Sequence, residues 1–80
     1  MVDSSVQNKI TDIFSSISGY DKNLLSKETQ VRDTGVNSIT IIQIMVKIEQ
    51  EFCIEIDDED LDFSKIIVME DLFNVVIKKL

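Results

Sequence analysis

Residues 38–52 carry a long apolar pattern with helical spacing, and few folds accommodate it. Apolar side chains recur there at steps of three and four residues, as on one side of a helix. They form two adjacent lines: Ile41, Ile44, Met45, Ile48 and Phe52, and Ile39, Ile42 and Val46. The first line is expected to face a core. The second is either buried beside it in one wide face, or partly exposed at Ile39 and Val46 as apolar contacts for a partner.

The rest of the chain and its composition predict an all-α fold. The 80 residues contain no proline and two glycines, and 6% are aromatic, which favours helices over a small β-sandwich. Apolar periodicity predicts three main helices, and an acidic stretch predicts one short helix before the last of them. Their predicted ranges are 5–18, 38–52, 57–63 and 69–79. We therefore expect one domain of residues 1–80, a small four-helix bundle with a long first loop.

The loop and the start of the last helix are the least defined parts. Residues 19–37 form an unusually long connection, which a short helical turn near residues 21–25 would shorten. Apolar side chains are expected to pin it to the core, namely Leu24, Leu25 and Val31. The last helix follows Ile66, Ile67 and Val68, which have no side-chain oxygen. The sequence therefore offers no evident N-terminal cap for that helix.

A short motif lies where the loop meets the central helix. Gly35 permits a sharp turn, because glycine adopts backbone conformations that other residues avoid. Either Asn37 or Ser38 can then cap the helix with a side-chain oxygen. Taken alone, a serine here is an ordinary cap. The position would also suit a phosphate group on the hydroxyl, because backbone amides and the positive end of the helix dipole converge there.

The residues around this motif resemble the acyl carrier protein family. The similar segments are residues 34–39 (TGVNSI), 49–52 (EQEF) and 54–61 (IEIDDEDL), and the resemblance extends over about residues 6–80. It implies that Ser38 bears a 4′-phosphopantetheine arm. It also implies that Gly35, Asn37 and Ile39 complete the attachment motif.

The resemblance implies a carrier and not an enzyme. A phosphopantetheinyl transferase would supply the base that lets Ser38 attack coenzyme A, and the thiol of the arm would then hold acyl or aminoacyl groups as thioesters. The other expected partners are an acyl- or aminoacyl-loading enzyme and a ketosynthase or other chain-processing enzymes. The residues agree with a non-catalytic role: the chain has no histidine for a Ser-His or Cys-His pair, and Cys53 has no base to activate it.

Two departures from the fatty-acid-synthesis pattern bear on the pathway. Asn37 stands where that pattern usually has aspartate. The central helix is usually richly acidic, but here Lys47 precedes its first acid, Glu49. These differences favour polyketide, nonribosomal peptide or other specialised biosynthesis over housekeeping fatty-acid synthesis. The cargo stays open between fatty acyl, polyketide, peptide and D-alanyl groups.

Negative charge is concentrated in residues 49–62, which we call the acidic segment. The chain has a formal charge of −7, and this segment holds eight acids and no base. Like charge disfavours nucleic acid as a partner. The segment is either a solvated face or a docking surface for basic partner enzymes, and the resemblance favours the second. The expected partner surface consists of Ile39, Ile42, Val46, Glu49, Glu51, Asp57, Asp58, Glu59 and Asp60.

Features that the sequence lacks exclude further kinds of site and location. An EF-hand loop starting at Asp58 would need glycine where Phe63 stands and glutamate where Met69 stands, so no metal is predicted. The chain has one cysteine and no signal-peptide pattern. It also has no apolar run near the roughly 20 residues that span a membrane. We expect a cytoplasmic monomer that does not insert into membranes.

A second hypothesis belongs to another functional class. An acidic helical adaptor could bind a basic partner through the same acids and the same apolar line without any prosthetic group. Its binding to the partner would weaken with salt and would not change when Ser38 is replaced with alanine.

Overall fold

Three α-helices form the main elements of the computed structural model, which describes residues 4–80 except for the side chains of Ser4 and Asp58. They are α1, Ser4–Ser18; α2, Ser38–Phe52; and α3, Met69–Ile77. The described residues contain no β-strand, and the predicted all-α fold is confirmed. The predicted bounds of α2 match. The helix α1 begins one residue earlier than predicted, and α3 ends two residues earlier than predicted. Within the part of the chain that the structure describes, none of the helices combines the length and the apolar character that a membrane span requires.

Short 3-10 turns connect the α-helices. Within the described residues they are Lys22–Leu24, Val31–Thr34, Asp58–Leu61 and Phe63–Lys65. The last two stand where one short helix was predicted, and Asp62 separates them. Its backbone is extended, and its carboxylate accepts hydrogen bonds from the Ser64 N–H at 3.0 Å and the Ser64 hydroxyl at 2.7 Å. These bonds hold the pKa of Asp62 below its ordinary value, and they compete with continued helix.

The core lies among the three helices and is completed by residues of the connections. The apolar residues buried in it are Ile10, Phe14, Val31, Val36, Ile41, Ile44, Met45, Ile48, Ile56, Ile66, Met69, Leu72, Phe73 and Val76. The first apolar line of α2 faces this core as predicted, with Phe52 at its edge and partly buried. Of the loop residues expected to reach the core, Val31 is buried and Leu25 partly buried, but Leu24 is 63% exposed. Leu24 therefore does not pin the loop.

Backbone hydrogen bonds fasten the long loop to the start of α3. The Val31 N–H donates to the Ile67 carbonyl at 2.9 Å, and the Met69 N–H donates to the Thr29 carbonyl at 2.9 Å. The side chain of Val31 is fully buried beside this junction. Because these bonds fix the backbone of the loop, they also fix the direction in which the chain enters α2.

Asp71 supplies the cap of α3 that the preceding residues cannot. Its Oδ2 accepts hydrogen bonds from the Ile67 N–H at 3.0 Å and from the Val68 N–H at 3.1 Å. The Glu70 N–H donates to the Lys27 carbonyl at 3.0 Å, and the Asp71 N–H donates to the Val68 carbonyl at 3.0 Å. The amides at this helix start are thus paired by a carboxylate that reaches back and by the loop carbonyls.

Replacing Asp71 with alanine should lower the free energy of unfolding by about 1–2 kcal/mol, because two amides at a helix N-terminus lose a charged acceptor. Urea denaturation followed by circular dichroism measures the loss. Glu70→Ala is the matched control: it removes one negative charge from the same turn, but the Glu70 side chain is exposed and makes no hydrogen bond within the described residues. Equal losses in both variants would show that charge alone, and not the cap, is responsible.

Two ion pairs join the end of the chain to the segment after α2. Lys79 Nζ lies 2.7 Å from Asp57 Oδ2, and Lys78 Nζ lies 2.8 Å from Asp60 Oδ1. Both lysines lie just beyond Ile77, the last residue of α3. The hydrogen bond and the charge of Lys79 hold the pKa of Asp57 below its ordinary value, and the hydrogen bond to Asp57 raises the pKa of Lys79.

The Asp57–Lys79 pair should make stability depend on pH. Because folding lowers the pKa of Asp57, the pair stabilises the fold above the ordinary value of 3.8, and this contribution is lost as the pH falls through the lowered pKa. The raised pKa of Lys79 acts at the other end: its contribution is present below the ordinary 10.5 and is lost as the pH rises through the raised value.

Lys79→Gln should therefore melt slightly below wild type at neutral pH, and the gap should close in acid as Asp57 is protonated. Thermal denaturation across the acid range measures the gap. Lys27→Gln is the control, since the Lys27 side chain is exposed and forms no ion pair with the side chains that the structure describes. A gap between Lys79→Gln and wild type that stays constant down to the lowest pH would contradict the expectation.

Candidate functional site

A left-handed turn at Gly35 directs the chain into α2. The 3-10 turn Val31–Thr34 ends there with φ 84° and ψ 4°, and the Gly35 N–H donates to the Arg32 carbonyl at 3.3 Å. L-residues avoid this conformation, because Cβ then crowds the carbonyl oxygen. Val36, the next residue, is buried and anchors the turn to the core. Gly35 therefore has the conformational role that the sequence predicted.

Asn37, and not Ser38, caps α2. The Asn37 Oδ1 accepts hydrogen bonds from the Thr40 N–H at 2.9 Å and from the Thr40 hydroxyl at 3.1 Å. Its backbone is extended, and its carbonyl accepts the Ile41 N–H at 3.0 Å. Thr40 was not singled out from the sequence, although its spacing of three residues from Asn37 is that of a cap and its N–H partner. With the cap assigned to Asn37, the hydroxyl of the next residue is not needed for capping.

Ser38 is the first residue of α2, and its side chain is exposed. Its hydroxyl makes no hydrogen bond to any part of the chain that the structure describes, and neither do the backbone N–H groups of Ser38 and Ile39. A free hydroxyl thus lies beside free amides at the positive end of a helix dipole. This donor set fits a phosphate ester on the serine, because the amides can pair with its oxygens.

The second apolar line of α2 is exposed, so the alternative in which it is buried beside the first line is wrong. Ile39 is 67% exposed, Ile42 43% and Val46 42%. We call these three residues the exposed strip. It begins next to Ser38 and runs along the helix face that the core does not use. Large apolar side chains clustered on a surface are typical of interaction sites.

The acids predicted for partner binding differ in how free they are. Glu49 is partly buried, and its Oε2 accepts the Ile56 N–H at 2.8 Å, so this carboxylate holds the chain after α2 in place. Glu51 lies 3.5 Å from Lys47 in an exposed pair. Asp57 and Asp60 are held by the C-terminal lysines, Glu59 is exposed, and the side chain of Asp58 lies outside the described residues. Among the residues described, no group of three or more acids and cysteine could hold a metal ion.

Gly35→Ala should destabilise the fold by about 1 kcal/mol, because alanine strains the left-handed turn. Gly19→Ala is a matched control: Gly19 has φ 78° against 84° at Gly35, and at both positions an added Cβ would meet no atom within 4 Å. Urea denaturation should show similar losses in both variants. Backbone amide shifts of Asn37 and Ser38 should move only in Gly35→Ala. A Gly35→Ala variant as stable as wild type would contradict the assigned turn.

Comparisons with known proteins agree with one another. The family described as phosphopantetheine attachment site matches residues 8–73. An acyl carrier protein of Syntrophobacter fumaroxidans is 32% identical over 75 residues, which are 92% of this chain and 90% of that protein. An acyl carrier protein of Thermotoga maritima is 30% identical over 74 residues, which are 91% of this chain and 89% of that protein. A crystal structure of an acyl carrier protein from Thermotoga maritima matches with a TM-score of 0.79 and 33% identity, over 95% of this chain and 87% of that one.

These similarities cover nearly the whole chain, including the turn at Gly35 and the whole of α2. Acyl carrier proteins are non-catalytic, and they work with phosphopantetheinyl transferases and acyl-processing enzymes. The family's prosthetic group is a covalently attached 4′-phosphopantetheine, and the free hydroxyl and amides at the start of α2 fit its phosphate. The chain therefore belongs to the acyl carrier protein family.

Proposed function

We propose that Ser38 is the residue that bears 4′-phosphopantetheine, and that the protein carries thioester-bound acyl or aminoacyl groups between biosynthetic enzymes. The observation that supports this most strongly is the free, exposed hydroxyl of Ser38 at the start of α2. When attached, the arm supplies a thiol that holds the cargo as a thioester. The residues of the chain present the attachment point and the surface that partner enzymes bind.

The neighbours of Ser38 prepare it for attachment. Gly35 turns the chain sharply, and Asn37 starts the helix, so Ser38 is exposed and has no competing hydrogen bond to the residues that the structure describes. In the attachment reaction, the Ser38 oxygen bonds to the phosphorus that carries the pantetheine half of coenzyme A, the bond from that phosphorus to the oxygen bridging the two phosphates breaks, and adenosine 3′,5′-bisphosphate leaves. A base of the transferase accepts the hydroxyl proton, because this chain has no histidine to do so.

The exposed strip and the neighbouring acids form the proposed partner surface. Ile39, Ile42 and Val46 would serve as apolar anchors, and the acids Glu51, Asp57 and Glu59 as a charged rim. Basic patches on a transferase, a loading enzyme, a ketosynthase or another chain-processing enzyme would complement such a rim and associate faster with it. Of the acids predicted from the sequence, Glu49 and Asp60 are the least available, because Glu49 is bonded to the backbone and the side chain of Asp60 is only 16% exposed.

We propose a role in specialised biosynthesis, such as polyketide or nonribosomal peptide synthesis, and not in housekeeping fatty-acid synthesis. The supporting features are the uncharged cap at Asn37 and the Lys47–Glu51 pair, which reduce the negative charge of α2. The proposal includes a single domain of residues 1–80 that acts as a monomer in the cytoplasm. The free and exposed thiol of Cys53 is typical of a reducing compartment.

Ser38→Ala should abolish attachment of the arm, because alanine has no nucleophile. Intact-protein mass spectrometry after incubation with coenzyme A and a promiscuous phosphopantetheinyl transferase measures the attachment. Ser16→Ala is the matched control, because Ser16 is exposed on α1 and its hydroxyl makes no hydrogen bond within the described residues. Wild type and Ser16→Ala should each gain one arm, and Ser38→Ala none, with unchanged helical circular dichroism in all three.

Two other results would contradict the proposal in different ways. A gain of mass in Ser38→Ala would place the attachment on another residue. No gain in any form, with a cognate transferase also tried, would favour the adaptor hypothesis. In that case binding to a basic partner should be the same for wild type and Ser38→Ala.

A further inference from the structure

The acidic segment is not uniformly available to a partner, because lysines of the same chain occupy part of it. Asp57 and Asp60 are paired with Lys79 and Lys78. In contrast, Glu59 is exposed and makes no ion pair within the described residues. A basic enzyme that approaches this surface would therefore meet free carboxylates beside carboxylates that already have a partner.

The two ion pairs are well formed but partly open to water. The side chain of Asp60 is 16% exposed and that of its partner Lys78 is 54% exposed. The side chain of Lys79 is 24% exposed and that of Asp57 is 57% exposed. Each pair thus has one solvated member. Ion pairs of this type are weak, so a competing charge can replace either member.

The fold keeps the two lysines beside these acids. The Lys78 N–H donates to the Asn74 carbonyl at 3.1 Å, and the Lys79 N–H donates to the Val76 carbonyl at 3.0 Å, which continues α3 as an ordered turn. The lysines are 18 and 22 residues from the acids along the sequence, so the pairing depends on the folded structure. Because the groups are held in one chain, the ammonium groups compete with a partner at a high effective concentration.

We infer that Lys78 and Lys79 form an autoinhibitory contact, in which their ammonium groups occupy Asp57 and Asp60 until the basic patch of a partner enzyme displaces them. This inference rests on the proposed docking role of the acidic segment. The contact lowers the affinity of every partner that uses these two acids. It also lowers the negative potential at this end of the molecule, which reduces attraction of unrelated basic proteins.

The test is the steady-state kinetics of a phosphopantetheinyl transferase with coenzyme A and the apo-protein at low ionic strength. Lys78→Gln/Lys79→Gln should raise kcat/KM by about two- to fivefold through a lower KM, because both acids become free and the local field becomes more negative. Adding Asp57→Asn/Asp60→Asn to this variant should remove the gain. Urea midpoints and circular dichroism verify that each variant is folded.

Lys22→Gln/Lys27→Gln is the matched control. It removes the same charge from another part of the chain and breaks the exposed Lys22–Asp12 pair of 3.0 Å, so its gain in kcat/KM should be clearly smaller. An equal gain in the two lysine variants would overturn the inference in favour of net charge. So would a gain that survives removal of Asp57 and Asp60.

A second variant keeps the inference testable if Lys78→Gln/Lys79→Gln is too unstable to measure. Lys78→Arg/Lys79→Arg retains the positive charges and should keep the wild-type KM, and a KM as low as that of the glutamine pair would contradict the inference. A failure of this inference is also distinct from a failure of the proposed function. In the first case all forms gain the arm, but the kinetic differences described above are not found, and in the second case wild type gains none.

Discussion

Hydrogen bonds between the long loop and the start of α3 hold the candidate site in place. The Val31 N–H binds the Ile67 carbonyl, the Met69 N–H binds the Thr29 carbonyl, and Val31 is buried beside them. From this junction the chain needs one 3-10 turn to reach Gly35 and α2. Loss of these bonds would free the residues before Ser38 even if α2 stayed helical, because a loop without backbone partners does not keep one conformation. The position of Ser38 therefore depends on tertiary structure, and the start of α3 contributes to it through its hydrogen bonds with the loop.

The site divides its tasks among neighbouring residues. Gly35 turns the chain, Val36 anchors the turn, and Asn37 starts the helix, so none of these tasks falls to Ser38. The same division operates along α2, where one apolar line builds the core and the exposed strip remains for other molecules. A chain with few buried residues can in this way serve both its own stability and its partners, because a helix offers separate faces to each.

The sequence predicted the features that follow from a regular pattern or from one residue type, and it missed bonds from side chains to backbone amides and contacts between distant residues. The period of apolar residues fixed the bounds of α2, and glycine at position 35 indicated the turn, since both signals are local. The acceptor role of Asp71 was not evident, because its carboxylate reaches backwards to amides of apolar residues. The pairs of Asp57 and Asp60 with the C-terminal lysines depend on the folded chain, so the acids appeared free. Two 3-10 turns stand in place of the predicted short helix, because the Asp62 carboxylate accepts the Ser64 N–H, which a continuous helix would bond to a backbone carbonyl.

Because the cap of α2 is the side-chain amide of Asn37, the start of the helix does not depend on pH. The acceptor of the Thr40 N–H is a neutral oxygen that neither gains nor loses a proton over the range in which proteins stay folded. An aspartate at the same place would become a weaker acceptor on protonation in acid, and the start of the helix would loosen with it. The expected pH dependence of stability comes from carboxylates elsewhere, such as Asp57. The cap of α2 beside Ser38 is thus independent of pH for as long as the fold persists.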